Sequence, residues 1–353
     1  MANLEDMIEE VLLNLEGYVG DQDIYGTITL PTPSYSKNTT TWNADTTTVI
    51  PEGEYGLNTT TGGYKRGDGV SLWAALTYIN GWNATTGIDA TATEFIVAGP
   101  AFQTGSGFST GLVEIAEELV YVQDIDSTTG LFTGVLRGFR GTTAATHAAG
   151  VRVRNNPRFP IIAVKRAIND TITSLYPKIS AVKTTEITVK GYVAQYDLPS
   201  NTNGVISVFY KKPGAAKTWL PSNRWNFDTT GASNSSTGKC VNVYDAVAGY
   251  PVQVVYTVNP STLNIGENYT TVTGLPDYTR DVVILGACWR LASFIESARI
   301  ANVTAEQSIL NAQSPAGVST NLAKYFLGMF TQRLQEAQER QKTEFLPQKH
   351  FLR

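Results

Sequence analysis

The sequence predicts an α+β fold: a four-helix bundle core assembled from distant chain segments, with two inserted antiparallel β modules. Three observations carry that expectation. Apolar residues recur at helical spacing in four separated stretches. Between them lie short β-branched or alternating runs divided by clusters of Asn, Ser, Gly and Pro. Charged residues make up only 16% of the 353-residue chain, well below the ~25% of an average soluble domain. In their place stand 45 Thr, 31 Gly and 17 Tyr, a composition that favours strands and turns over solvated helices. The length suffices for a sizeable core and suggests about two to three domains.

The first bundle helix is placed in residues 1–20. Leu4, Met7, Ile8, Val11, Leu12 and Leu15 form its stripe, Asn3 its N-cap and Gly17 its stop. Residues 21–92 read as a loop-rich insertion, with turn clusters such as Asn38-Thr39-Thr40-Thr41 and Asn58-Thr59-Thr60-Thr61-Gly62-Gly63. A β module is expected over 93–158: Glu94 to Val97 is a strand, Leu112 to Ile115 and Leu119 to Val122 a hairpin, and Val151-Arg152-Val153-Arg154 a closing strand by alternation. The next bundle helix occupies 159–180, where Pro160 suits a helix start, Ile161, Val164, Ile168, Ile172 and Leu175 form the stripe, and Pro177 ends it. A small antiparallel β domain follows at 181–262. A C-terminal helix pair fills 276–345, one helix striped by Ile284, Cys288, Leu291, Ile295 and Ala298, the other by Leu322, Tyr325, Phe326, Met329, Phe330, Leu334 and Ala337. Residues 346–353 form a tail.

Charge and composition exclude several function classes. A net charge of −4 argues against a strongly basic nucleic-acid binder. Two cysteines and two histidines are too few for zinc clusters or a disulfide framework. No run of about 18 apolar residues appears, so no membrane span is expected, and the acidic opening after Met1 lacks the basic and apolar regions of a secretory signal.

The motifs are weak as chemistry. Arg66-Gly67-Asp68 is an integrin-type tripeptide in a turn-rich stretch. Asp124, Asp126, Glu117 and Glu118 lack the Gly-centred spacing of a calcium loop and read as a solvated hairpin tip. His147 has no nucleophile motif beside it and reads as a satisfied turn histidine. Thr104-Gly105-Ser106-Gly107 lacks a P-loop lysine, and Cys240 and Cys288 read as packed thiols. The expectation is a protein that is not an enzyme and needs no cofactor or metal.

Three stretches resemble a known family. Val113 to Val122 followed by Gly134-Val135-Leu136-Arg137-Gly138-Phe139-Arg140-Gly141-Thr142-Thr143-Ala144-Ala145-Thr146-His147 is similar to a β module that recurs in phage virion proteins, whose hairpin usually has Gly where this chain has Ala116. Tyr196-Asp197-Leu198-Pro199, Gly204 to Val208, Asn223 to Asp228 and Val252 to Tyr256 resemble the β domain of phage adaptors. Asp281 to Arg299 followed by Leu322 to Arg353 looks like the paired helices and basic-aromatic tail that close the same proteins. The family is that of head-to-tail adaptor (connector) proteins of long-tailed double-stranded DNA bacteriophages. Residues 21–90 fall outside the resemblance.

The resemblance implies a structural virion protein at the head-tail junction, made in the host bacterial cytoplasm. Such adaptors form a homo-oligomeric ring, commonly of twelve copies, below the portal protein, and receive a stopper or tail completion protein on the opposite face. Genomic DNA passes through the lumen without sequence-specific binding. The resemblance also implies that the C-terminal segment docks on the portal. Here that segment is Phe345, Leu346, Pro347, Gln348, Lys349, His350, Phe351, Leu352 and Arg353, whose apolar members suit a partner groove. The alternatives are another phage neck, tail or baseplate structural protein, a carbohydrate-binding adhesin suggested by Trp73, Trp82, Trp219 and Trp225, and a virion hydrolase.

Overall fold

Asn3 starts the first helix by a reciprocal cap. Its Oδ1 accepts the N–H of Asp6 at 2.8 Å, and the Asp6 carboxylate accepts the N–H of Asn3 at 3.0 Å. The helix, α1 (Leu4–Val19), buries Leu4, Met7, Ile8, Val11 and Leu15 along one stripe. A computed structural model describes residues 3–19, 24–99, 108–191, 195–211, 219–229, 235–301 and 318–346. The chain divides into two compact units: a split unit of Met1–Tyr18 with Val164–Arg353, and an inserted unit of Val19–Ala163.

In the split unit, α1 joins most of α3 (Ile161–Ser174), the short α4 (Tyr269–Thr273), α5 (Arg280–Ala301) and α6 (Val318–Glu344). Gly286 on α5 allows a close approach: a Cβ there would lie 2.5 Å from Thr171 Cγ2 of α3 and 2.9 Å from the Phe330 ring of α6. One turn on, Trp289 stacks on Phe330 at 6.1 Å, and Arg290 Nε donates to Thr171 Oγ1 at 3.1 Å. Cys288 packs against the Val11 carbonyl of α1, and burial pushes its thiol up to about 12.

The same unit holds two antiparallel sheets. One has the order β13 (Ala181–Thr188), β19 (Pro251–Val258), β15 (Thr202–Lys211), β16 (Trp219–Pro221). The other runs β14 (Gln195–Asp197), β18 (Cys240–Val243), β17 (Trp225–Asp228). Strict alternation along β19 buries Val252, Val254, Tyr256 and Val258. Val252 and Val254 share a core with Val208, Val241 and Trp225, which draws on both sheets.

Among the described residues, the regular structure of the inserted unit is mostly strand, in short pieces joined by turns. β1 (Ile24–Thr29) lies at the centre of a seven-stranded antiparallel sheet, between β7 (Phe95–Ala98) and β12 (Arg152–Asn155). β8 (Gly111–Ile115) and β9 (Glu118–Val122) extend it beyond β12; β11 (Leu131–Thr133) and β10 (Asp124–Asp126) extend it beyond β7. A five-stranded sheet runs in order through β2 (Tyr35–Lys37), β3 (Tyr55–Asn58), β4 (Gly63–Arg66), β5 (Tyr78–Asn83) and β6 (Gly87–Ile88). One core unites the sheets, with Tyr64 and Trp82 from the second packed among Ile28, Phe95, Val113 and Phe132 of the first. A short helix, α2 (Thr39–Asn43), is capped by Asn38 and brings Trp42 to a satellite core with Ile50 and Trp73.

The expected four-helix bundle core is therefore overturned. The protein is mixed α+β but β-rich, with four sheets among the described residues, and the strands build their own cores rather than decorate a bundle. The reason is physical. A 3.6-residue stripe announces itself within a few turns of chain, whereas strands of two to six residues in a Thr-rich stretch acquire their pairing from partners far along the sequence. β1 shows this best: it belongs by sequence to the loop-rich stretch and by pairing to Asn155, 131 residues away.

Candidate functional site

At the C-terminal end of α6 the helix is pinned by amides rather than by apolar contacts. Gln341 clasps residue 180 from both sides: its Oε1 accepts the Ser180 N–H at 3.2 Å, and its Nε2 donates to the Ser180 carbonyl at 2.8 Å. One turn earlier, Gln338 Nε2 donates to the Lys178 carbonyl at 3.3 Å. Arg340 sits over the Tyr278 ring at 4.2 Å. Phe345 N–H donates to the Gln341 carbonyl at 2.9 Å, which carries the last turn as far as the helix end. Leu346 then stands 71% exposed. Of the expected docking residues, Phe345 is half-buried and Leu346 exposed, while Pro347, Gln348, Lys349, His350, Phe351, Leu352 and Arg353 lie outside the described residues. On the same helix Phe326 and Leu334 are buried, but Tyr325 is 50% exposed rather than part of the buried stripe. No sequence signal distinguishes Gln338 and Gln341 from the other polar residues of α6, because their partners lie 160 and 161 residues away.

The second constellation is the turn after β11. Glu118 is 1% exposed, not part of a solvated hairpin tip. Arg137 grips it through Nε and Nη2, each at 2.8 Å; the Gly138 and Ala145 N–H groups donate to it at 2.9 and 3.1 Å; and His147 Nε2 lies 2.8 Å away. Burial by itself pulls this carboxyl upward, yet the hydrogen bonds from Arg137, His147, Gly138 and Ala145 outweigh it and hold the group at about 2. Gly138, Arg140 and Gly141 take left-handed backbone angles (φ 62, 54 and 79°), so the chain curls around the carboxylate. The motif Arg137 to His147 is thus a folding latch. A second buried pair stands on neighbouring strands, where Arg154 Nη1 donates to Glu114 Oε2 at 2.6 Å, and Glu114 Oε1 caps the Ile161 N–H.

The other sequence candidates serve the fold. Arg66 pairs with Glu94 at 2.8 Å and Asp68 Oδ1 accepts the N–H of Val70 and Ser71, so the tripeptide is engaged internally. Asp124 and Asp126 are exposed, and Asp126 closes its own turn through Thr128 and Thr129. Trp73, Trp82 and Trp225 are buried in cores, while Trp219 is half-covered with Lys211 Nζ at 4.4 Å from its ring. Cys240 and Cys288 are buried in separate elements. Thr104 to Gly107 lies outside the described residues. Among the described residues, no cluster of three or more His, Cys, Asp or Glu is placed to hold a metal ion, and no helix is long and apolar enough to cross a membrane.

The pinned helix and its neighbours also carry the likeness to known proteins. No curated protein matches the chain. A family model described as SU10 adaptor protein matches residues 142–347, more than half of the chain, from the end of the latch through α3, both smaller sheets, α5 and α6 to the start of the tail. The chain belongs to the SU10 adaptor protein family and is a bacteriophage adaptor, a structural component of the virion.

Proposed function

We propose that this adaptor forms a ring below the portal protein, links the capsid vertex to a stopper or tail completion protein, and lets the genome pass through its lumen. One observation carries the reading. The family match reaches residue 347, and just before it α6 is clasped at Gln341 and ends by exposing Leu346. An extended segment with apolar side chains can add to a sheet edge, with register from backbone hydrogen bonds and strength from side-chain pockets. Phe345 to Arg353 are the residues assigned to that docking. The net charge of −4 suits a channel through which DNA slides, because few phosphates would be gripped. A ring of identical copies, twelve in this reading, requires a head-to-tail contact that closes at one rotation.

The test is truncation after Glu344. The shortened protein is expected to stay folded and soluble, and to lose attachment to portal-bearing, DNA-filled capsids. Attachment at normal yield would remove the tail as anchor. A virion map that puts the protein at three-fold capsid positions or in a tail fibre would remove the ring.

A further inference from the structure

β13 is the longest edge strand among the described residues. All eight of its residues pair with β19 without a bulge, and no described strand lies on its other side. Which way its backbone groups point follows from two pairs at its far end. Val189 N–H donates to the Tyr250 carbonyl at 3.1 Å, and Pro251, which has no N–H to give, stands opposite Thr188. Every second residue back from Val189 therefore turns its N–H and C=O toward β19. Ser180, Val182, Thr184, Glu186 and Thr188 turn theirs outward. Gln341 meets the Ser180 groups as the peptide of a neighbouring strand would. The outward groups of the other four have no partner among the described residues, and Thr184, Glu186 and Thr188 are exposed. Such an edge is a template for one more strand.

The clasp also shows which segment lies nearest. Because the Ser180 groups point outward in the plane of the sheet, the end of α6 stands beside this edge and not over a face. The helix advances with the chain it touches: Gln338 reaches Lys178, Gln341 reaches Ser180, and β13 begins at the next residue, Ala181. The chain therefore leaves α6, at the 71% exposed Leu346, beside the first residues of the edge and heading along it. Seven residues follow, Pro347 to Arg353, against seven on the edge, Val182 to Thr188; either spans about 23 Å when extended. Proline is tolerated as the first residue of an edge strand. The segment carries no acid, and its Lys349 and Arg353 suit Glu186 on the edge. We propose that in the unassembled adaptor residues 347–353 add to the β13 edge of their own chain as a parallel strand, which stores the tail and closes the edge until a partner displaces it. That the stored segment is the portal anchor rests on the reading above; the pairing itself does not.

The experiment is hydrogen exchange, read amide by amide, on the full chain and on a chain truncated after Leu346, which keeps Gln341 and the last helical turn. The amides of Val182, Thr184, Glu186 and Thr188 are expected to exchange about tenfold faster in the truncated protein. Those of Lys183, Thr185 and Ile187, which face β19, are expected to hold their rates. Thr184→Pro removes one outward donor and leaves the β19 ladder intact. It is expected to free the tail, seen as about tenfold faster tryptic cleavage after Lys349 in a protein whose circular dichroism is that of the parent. Equal exchange of the outward amides in the full and truncated chains would overturn the proposal, as would unchanged cleavage in a folded Thr184→Pro variant. Protection that grows with protein concentration would assign the strand to a second copy and overturn the same-chain pairing. An unprotected edge together with lost capsid attachment on truncation removes this pairing and leaves the portal reading standing. A protected edge with attachment at normal yield does the reverse.

Discussion

Glu118 in the inserted unit and Gly286 in the split unit each stand where three segments of chain converge, and they hold those segments by opposite chemistry. At Glu118 a buried carboxylate gathers Arg137, Gly138, Ala145 and His147. At Gly286 the absence of a side chain lets α3, α5 and α6 close on one another. The inserted unit is made of short strands and turns with little local preference for one arrangement, so it relies on directional, charged contacts to choose one. The split unit has helices whose apolar stripes already point the right way, and its junctions need only room and shape. Buried charge of this kind is costly to break rather than strongly stabilising in itself. It therefore marks where the fold is specified, and where it is fragile.

The sharpest test of that contrast is Glu118→Ala. Stranding Arg137 in a buried site is expected to cost about 3–5 kcal/mol, read as loss of hydrogen-exchange protection in β9, with the amides of α5 as reference. A cost below about 1 kcal/mol, the range of a surface pair, would break the comparison.

Acid separates the units next. Glu118 is held at about 2 against an ordinary 4.5, so its contribution is whole above the ordinary value and is lost as pH falls from about 4.5 through 2. The difference corresponds to about 3 kcal/mol. Asp45, Asp68 and Asp126 are also lowered in the inserted unit, against Asp197 in the split unit. Near-ultraviolet dichroism and exchange between pH 5 and 2 (working values around the titration) should show the latch strands opening first. Simultaneous loss of α5 protection would contradict the assignment.

Gly286→Ala tests the other side. Ala gains about 1 kcal/mol in helix propensity, but its Cβ would meet buried Thr171 and Phe330, and overpacking of this kind costs about 1–3 kcal/mol. The expected outcome is a net loss of up to about 2 kcal/mol by urea unfolding, the same at pH 7 and at pH 4. A stabilised variant would mean that the helices yield. The smallest effect is at Ala116, whose φ of 52° is left-handed. Ala116→Gly is expected to raise stability by about 0.5–1 kcal/mol, seen as a higher urea midpoint for the β8–β9 hairpin.

Much of the helical half was legible. Leu4, Met7, Ile8, Val11 and Leu15 are all buried, as are Val164, Ile168, Ile172 and Leu175. The strands of the inserted unit were only partly so. The alternation Val151-Arg152-Val153-Arg154 gives Arg154 the look of a solvated position, yet it is 4% exposed and paired with Glu114. Of the candidate site, the apolar and basic residues of the tail are read from the sequence alone, whereas the clasp at Gln341 is seen only in the structure. Gln341 and Ser180 are both ordinary surface residues until they meet.

What the sequence by itself determined is whatever a few consecutive turns or a motif can state: the helical stripes, the turn clusters, the low charge, and the residues that mark an adaptor. The tertiary structure alone decided that β1 is the centre of a sheet, that Glu118 and Glu114 are buried, and that Arg66 pairs with Glu94. The reason lies in the range of the forces. Helical amphipathicity is set by residues three and four apart, so it survives in the bare sequence. A charged residue is expected in water unless a partner meets it, and these partners stand 19 to 40 residues along the chain.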